Sequence, residues 1–185
     1  MNEENVTIQD LKPSWISIAV KYGIILGLIS AIISLITIIS NSSGNYLISI
    51  ISLIISIIVV VMANKAYKNA NNGFMSYGEG FKISFVSIVI GGIISGLVSF
   101  VYLQFIDPSA LEAMKEAQIA AAEKIMEAFN VDLPEDQMDE AIAKIEADTT
   151  AFNFFKNSVT SSIVGGLILA LIIAAFTKKS RPEYE

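Results

Sequence analysis

The chain contains no cysteine and no histidine. Without thiols there is no disulfide framework, no thiolate nucleophile and no cysteine metal site. Without imidazole there is no Ser-His-Asp triad, and histidine acid–base chemistry is excluded. Charge is scarce too. Asp, Glu, Lys and Arg make up 16% of the residues, against about 25% in an ordinary soluble domain. Basic residues are the scarcer sign, 12 against 18 acids, and the net charge of −6 argues against nucleic acid as a partner. What fills the chain is apolar: 54% hydrophobic residues over 185 positions, with a mean hydropathy of +0.62. That length fits one domain, and the excess of apolar residues points to the membrane.

The hydrophobicity comes in blocks. No charged residue lies between Lys21 and Lys65, between Lys82 and Asp107, or between Lys156 and Lys178. About 20 apolar residues suffice to cross roughly 30 Å of hydrocarbon. The first block is long enough for two passes and is divided by the polar turn Ser40-Asn41-Ser42-Ser43-Gly44-Asn45. Four transmembrane helices are therefore expected, near residues 15–39, 46–63, 83–106 and 158–176. A soluble protein of this size could not bury four such helices. The first span is expected to be a retained helix. Its flank is acidic (Glu3, Glu4, Asp10 against Lys12) and its apolar run is longer than a secretory signal needs.

Four spans place both termini on one side. That side holds Lys12, Lys21, Lys65, Lys68, Lys82, Lys178, Lys179 and Arg181, eight basic residues against six acids. Residues 107–157 hold four lysines against twelve acids. The positive-inside rule then puts both termini in the cytoplasm and residues 107–157 outside.

Residues 107–157 are patterned as two amphipathic helices. Asp107-Pro108 reads as a helix start, Asp as cap and Pro as first helical residue. Leu111, Met114, Ala121, Ile125 and Phe129 recur at helical spacing, interrupted by Gln118. Asn130 to Pro134 breaks the pattern, and Pro134-Glu135-Asp136 opens a second helix with acids where its dipole favours them. Its stripe is Met138, Ile142, Ile145, Thr149 and Phe152, and it is expected to run on into the fourth span without a break. The fold expected is an all-α integral membrane four-helix bundle. An extracytoplasmic amphipathic helical hairpin lies between helices 3 and 4, its stripes packed on each other or on a partner. The acids Asp132, Glu135, Asp136, Asp139 and Glu140 lack the spacing and glycine of a calcium loop and read as a solvated helix start.

Within the spans, small residues recur every four positions. The first has Ala19, Gly23, Gly27 and Ala31. The second has the looser set Ser49, Ser52 and Ser56. The third has Ser87, Gly91, Ser95 and Ser99, with Gly92 and Gly96 alongside. The fourth has Ser158, Ser162, Gly166, Ala170 and Ala174. Lipid gives helices no hydrophobic reason to associate, so close backbone approach supplies much of the attraction. Gly23, Gly27, Gly91, Gly92, Gly96 and Gly166 are the expected packing positions. The hydroxyls could alternatively line a permeation path. No Asp, Glu or Arg lies mid-span, which disfavours a proton relay or chemistry inside the bilayer.

One short motif stands out, Asn71-Asn72-Gly73-Phe74-Met75-Ser76-Tyr77-Gly78-Glu79-Gly80-Phe81-Lys82. It lacks the phosphate-loop spacing. Tyr77, Phe81 and Lys82 suit the headgroup region, with Glu79 between them, so it reads as an interfacial anchor or as a site for a lipid headgroup or cytoplasmic partner. With Lys21-Tyr22-Gly23, Tyr67-Lys68, Phe105-Ile106-Asp107-Pro108 and the acidic hairpin, this motif makes the chain resemble a bacterial multi-pass membrane family known as domain of unknown function 4199. The resemblance implies a membrane protein without an assigned activity. It carries over no catalytic residue. The function expected is structural or accessory, docking or scaffolding a membrane-protein partner or a second copy. No catalysis, cofactor or metal is expected. A small oligomeric transporter or channel is the alternative. An enzyme acting on lipid through Tyr77, Glu79 and Lys82 has the least support, because the motif offers a single carboxylate for acid–base work.

Overall fold

A computed structural model describes residues 13–42, 45–130 and 134–181. Glu3, Glu4, Asp10, Lys12, Ser43, Gly44 and Asp132, all used above, lie outside the described residues. Six helices follow in order: α1 (Trp15–Ile39), α2 (Tyr46–Ala70), α3 (Tyr77–Val101), α4 (Ser109–Ala128), α5 (Glu135–Asp148) and α6 (Ala151–Thr177). A π-helical turn, Tyr102–Ile106, prolongs α3. Among the described residues the one β-type pairing is an isolated antiparallel bridge between Met75 and Lys179.

Four helices are long and apolar enough to cross a membrane: α1, α2, α3 with its π-turn, and α6. Three of them outrun the expected spans. At 1.5 Å per residue, the 25 residues of α2 reach about 37 Å, more than the hydrocarbon requires. Hydropathy marks only the stretch that needs lipid. The helix itself continues until a capping group stops it. Thus α2 carries Lys65 and Lys68 and ends at Ala70, where Asn72 (φ 55°) and Gly73 (φ 83°) turn the chain. The next helix opens at Tyr77, six residues before the expected span, because Ser76 and Glu79 form a capping box. The last begins at Ala151, where the Thr150 side chain accepts a hydrogen bond from the Asn153 backbone N–H.

That cap also corrects the expectation of one continuous helix from Pro134. Thr149 (φ −84°, ψ 75°) leaves helical geometry. Its hydroxyl donates to the Ile145 carbonyl and accepts from the Gln118 amide of α4. Two threonines in succession therefore end one helix and start the next. At the other end of the hairpin, α4 starts at Ser109, one residue later than expected: the Asp107 carboxylate accepts from the Ser109 and Tyr102 hydroxyls, and its backbone carbonyl accepts from the Ala110 N–H.

Both α1 and α6 pack extensively on α3, while α2 leans more lightly on α1, α3 and α6. The buried residues of α2 all lie in its second half: Val59, Val60, Ala63, Asn64 and Tyr67. A central cluster of Leu26, Val59, Val60, Ile88 and Ile173 joins all four long helices. The hairpin is rooted at its base, where Met114 packs with Ile38, Leu103 and Ala151. Further along α4 the expected stripe fails: Ile125 is 59% and Phe129 75% exposed. Ala122 and Met126 are the less exposed residues there. On the second hairpin helix Met138, Ile142 and Ile145 are half-buried and Thr149 is buried, but Phe152 belongs to α6 and stands exposed.

Candidate functional site

A half-enclosed crevice of about 600 Å³ opens at the end where α1 meets α2. It exists because α2 is anchored by its second half only. The first half of α2 carries no buried residue, and the gap stays unfilled. Ser30, Ser34 and Thr37 of α1, Ser49 and Ser52 of α2, and Ser158 and Ser161 of α6 line it. Ser42 and Asn45 sit at the loop end, and Ile33, Ile38, Ile48, Met114 and Phe154 supply apolar walls. Among the described residues no charged side chain lines the crevice.

Most of these hydroxyl protons are already committed. Thr37 donates to the Ile33 carbonyl at 2.8 Å, Ser52 to Ile48 at 2.8 Å, Ser49 to Asn45 at 3.3 Å and Ser158 to Gly92 at 3.2 Å. Ser34 shares a hydrogen bond of 2.9 Å with Ser99. Such back-bonding leaves the oxygen lone pairs as the available polarity. The crevice does not traverse the bundle. Ser30 lies nine residues from the end of α1, about 13 Å deep at 1.5 Å per residue. Just beyond it the central cluster of Leu26, Val59 and Val60 closes the way.

Beside the crevice the helices meet through small residues. A Cβ on Gly23 would come within 2.8 Å of Ile90 Cβ, on Gly27 within 2.7 Å of Ile94 Cβ, and on Gly166 within 2.9 Å of Ile88 Cγ2. On Gly91 it would meet Leu26 Cγ at 3.0 Å, on Gly96 Phe155 Cδ2 at 3.0 Å, and on Gly92 it would overlap the Ser162 side chain. These contacts hold α1 and α6 on opposite rows of α3. They fix the two serine-bearing walls of the crevice.

The family described as "Protein of unknown function (DUF4199)" matches residues 21–179. The chain belongs to this family. No curated protein and no solved structure matches it. The part of this DUF4199 protein covered by the match contains every crevice residue and also the motif between α2 and α3.

In this DUF4199 chain the four motif side chains go to separate partners. Glu79 accepts from the Tyr67 hydroxyl at 2.8 Å through one oxygen, and from the Ser76 N–H and hydroxyl through the other. Tyr77 donates to the Leu171 carbonyl of α6 at 3.4 Å. Phe81 stacks on Phe85. Lys82 Nζ lies 5.9 Å from the centre of the Trp15 ring. Of the four, Glu79 lines a small cavity together with Ser76, Lys179 and Arg181.

Two features here escaped the sequence reading. Asn64, fully buried, donates to Ser84 of α3 at 3.0 Å and to Thr177 of α6 at 2.9 Å, tying three helices together. The only clue was a lone amide in an apolar run. The second is the pairing of Met75 with Lys179, N–H to carbonyl both ways at 2.9 and 2.8 Å. It brings Lys179 and Arg181 to within 5.7 and 5.8 Å of the Phe74 ring. A backbone pairing between segments a hundred residues apart leaves no composition signal.

Proposed function

We propose that this chain is a non-catalytic accessory protein of a bacterial cytoplasmic membrane. Both termini lie in the cytoplasm and residues 107–157 outside, and the α4–α5 hairpin docks a membrane-protein partner or a second copy. The observation that carries this reading is the one-ended attachment of the hairpin. Its base is held by Met114, Leu103 and Ala151, while Ile125 and Phe129 near its tip remain exposed among acidic side chains. Large apolar residues on a polar helix outside lipid are the usual anchors of an interface. The non-catalytic reading is supported by the motif's divergent side chains and by a crevice lined without a titratable group.

The test is site-specific photocrosslinking in intact cells from positions 125 and 129. A discrete adduct is expected, identified by mass spectrometry and lost when the other position carries lysine. Absence of any adduct, from the partner or from a second copy, would overturn the docking role. The hydroxyl-lined crevice also favours a second reading, a small oligomeric transporter or channel. Solute flux in vesicles holding the purified chain tests it. The dead end at Leu26, Val59 and Val60 means that such a path would have to run between chains.

A further inference from the structure

We propose that the crevice between α1, α2 and α6 binds one neutral, hydroxyl-bearing glycerolipid of the diacylglycerol type, drawn from the leaflet on which it opens. Three observations on the crevice converge. The first is size and depth. A space of about 600 Å³ lies in the range of sites that enclose small molecules, about 300–1,000 Å³. From Asn45 at the mouth to Ser30 at the base it spans about half of the roughly 30 Å hydrocarbon layer. It is therefore one leaflet deep and closed at the bilayer centre. That suits an amphiphile entering from one side, and it does not suit a solute crossing through a single chain.

The second is charge. None of the lining residues is charged. A phosphate or carboxylate brought to this depth would be desolvated without a counter-charge, which is strongly unfavourable. An ammonium group would face the same loss, since no carboxylate lines the walls. The ligand's polar part must be neutral. The third is the polarity of the hydroxyls. Thr37, Ser49, Ser52 and Ser158 have turned their protons to backbone carbonyls and offer lone pairs, so the ligand must bring a donor. A free hydroxyl does this. The Ser30 and Ser161 hydroxyls make no side-chain hydrogen bond among the described residues, and their protons can go to ester carbonyls. Ile33, Ile38, Ile48 and Phe154 then flank the first methylenes of the acyl chains. The lightly packed first half of α2 supplies the lateral entry. Among bilayer lipids, a diacylglycerol combines these properties. It has no charge, one free hydroxyl and two esters, and without a charged headgroup it rides deeper than its phospholipid neighbours.

The experiment uses the purified full-length chain, delipidated in detergent and offered dioleoylglycerol, dioleoylphosphatidic acid or trioleoylglycerol, with bound lipid counted by native mass spectrometry. One dioleoylglycerol per chain is expected, retained about tenfold or more over the charged and the hydroxyl-free probes. Ser30→Phe and Ser161→Phe, which fill the crevice, should each lower retention about tenfold. Val164→Phe, on the exposed face of α6 outside the crevice, should leave it unchanged. Equal retention of phosphatidic acid or trioleoylglycerol, or retention unaffected by Ser161→Phe, would overturn the proposal. A second measurement does not depend on the variants folding. A photoreactive diacylglycerol in vesicles with the unaltered chain should label peptides holding Ser30–Thr37, Ser49–Ser52 and Ser158–Ser161. Labelling spread over the outer face of α6, at Ile163 and Leu167, would sink the site.

Discussion

Gly92 and Gly165 are both helical glycines in apolar spans, and they differ in what lies over them. A Cβ on Gly92 would overlap the Ser162 side chain at the α3–α6 contact, whereas nothing lies within 4 Å of a Cβ on Gly165. Alanine in a helix interior gains about 0.5–1 kcal/mol over glycine in backbone terms. Forcing a methyl into a filled contact costs about 1–3 kcal/mol. The second effect wins at Gly92 and is absent at Gly165. Gly92→Ala is expected to lower stability in detergent by about 1–2 kcal/mol, and Gly165→Ala to leave it unchanged or slightly raised, both read from thermal unfolding. A four-residue repeat of small side chains told where helices could approach. It did not tell which glycines would face a neighbour, because Gly91 and Gly92 sit side by side yet look at different helices, toward Leu26 of α1 and Ser162 of α6.

At the scale of the element, helix existence was legible, but the end of α2 and the starts of α3 and α6 were not. Charge-free stretches located α1, α2, α3 and α6, because the bilayer demands length and apolarity and little else. The ends depend on single side chains: Asn45, Ser76 and Thr150 as caps. The Ser-x-x-Glu pattern at 76–79 could have placed the start of α3 from the sequence. Thr149-Thr150 could not have been read as a break, since threonine also occurs within helices. The hairpin helices differ from the spans in another way. Helix α5 keeps most of its surface exposed and touches only α4 at all substantially. Its amides are expected to exchange with deuterium well before those of α3, which is flanked on two sides. Hydrogen-exchange mass spectrometry in detergent checks this. Equal protection of α5 and α3 would mean that the hairpin packs more tightly than described.

For the whole molecule, the charge map sorts the two ends of the bundle. The missing cysteines make that map easy to test, because any introduced thiol is unique. Asn130→Cys, exposed beyond α4, is expected to react with a membrane-impermeant maleimide in intact cells. Ser180→Cys, exposed beside the Met75–Lys179 pairing, should react only after lysis. Reversed labelling would invert the topology and move the proposed docking hairpin into the cytoplasm.

By itself the sequence determined the number of spans, the all-helical character and the separation of acidic from basic segments. Each follows from local composition measured against one physical length, the thickness of hydrocarbon. Tertiary structure alone decided that α3 is the central helix, that Asn64 ties α2 to α3 and α6, and that α2 stands away from the bundle along its first half. A serine row reads the same whether it faces a neighbouring helix, lipid or a gap. Only the light packing of the first half of α2 made Ser49 and Ser52, together with Ser30 and Ser161, the walls of a crevice.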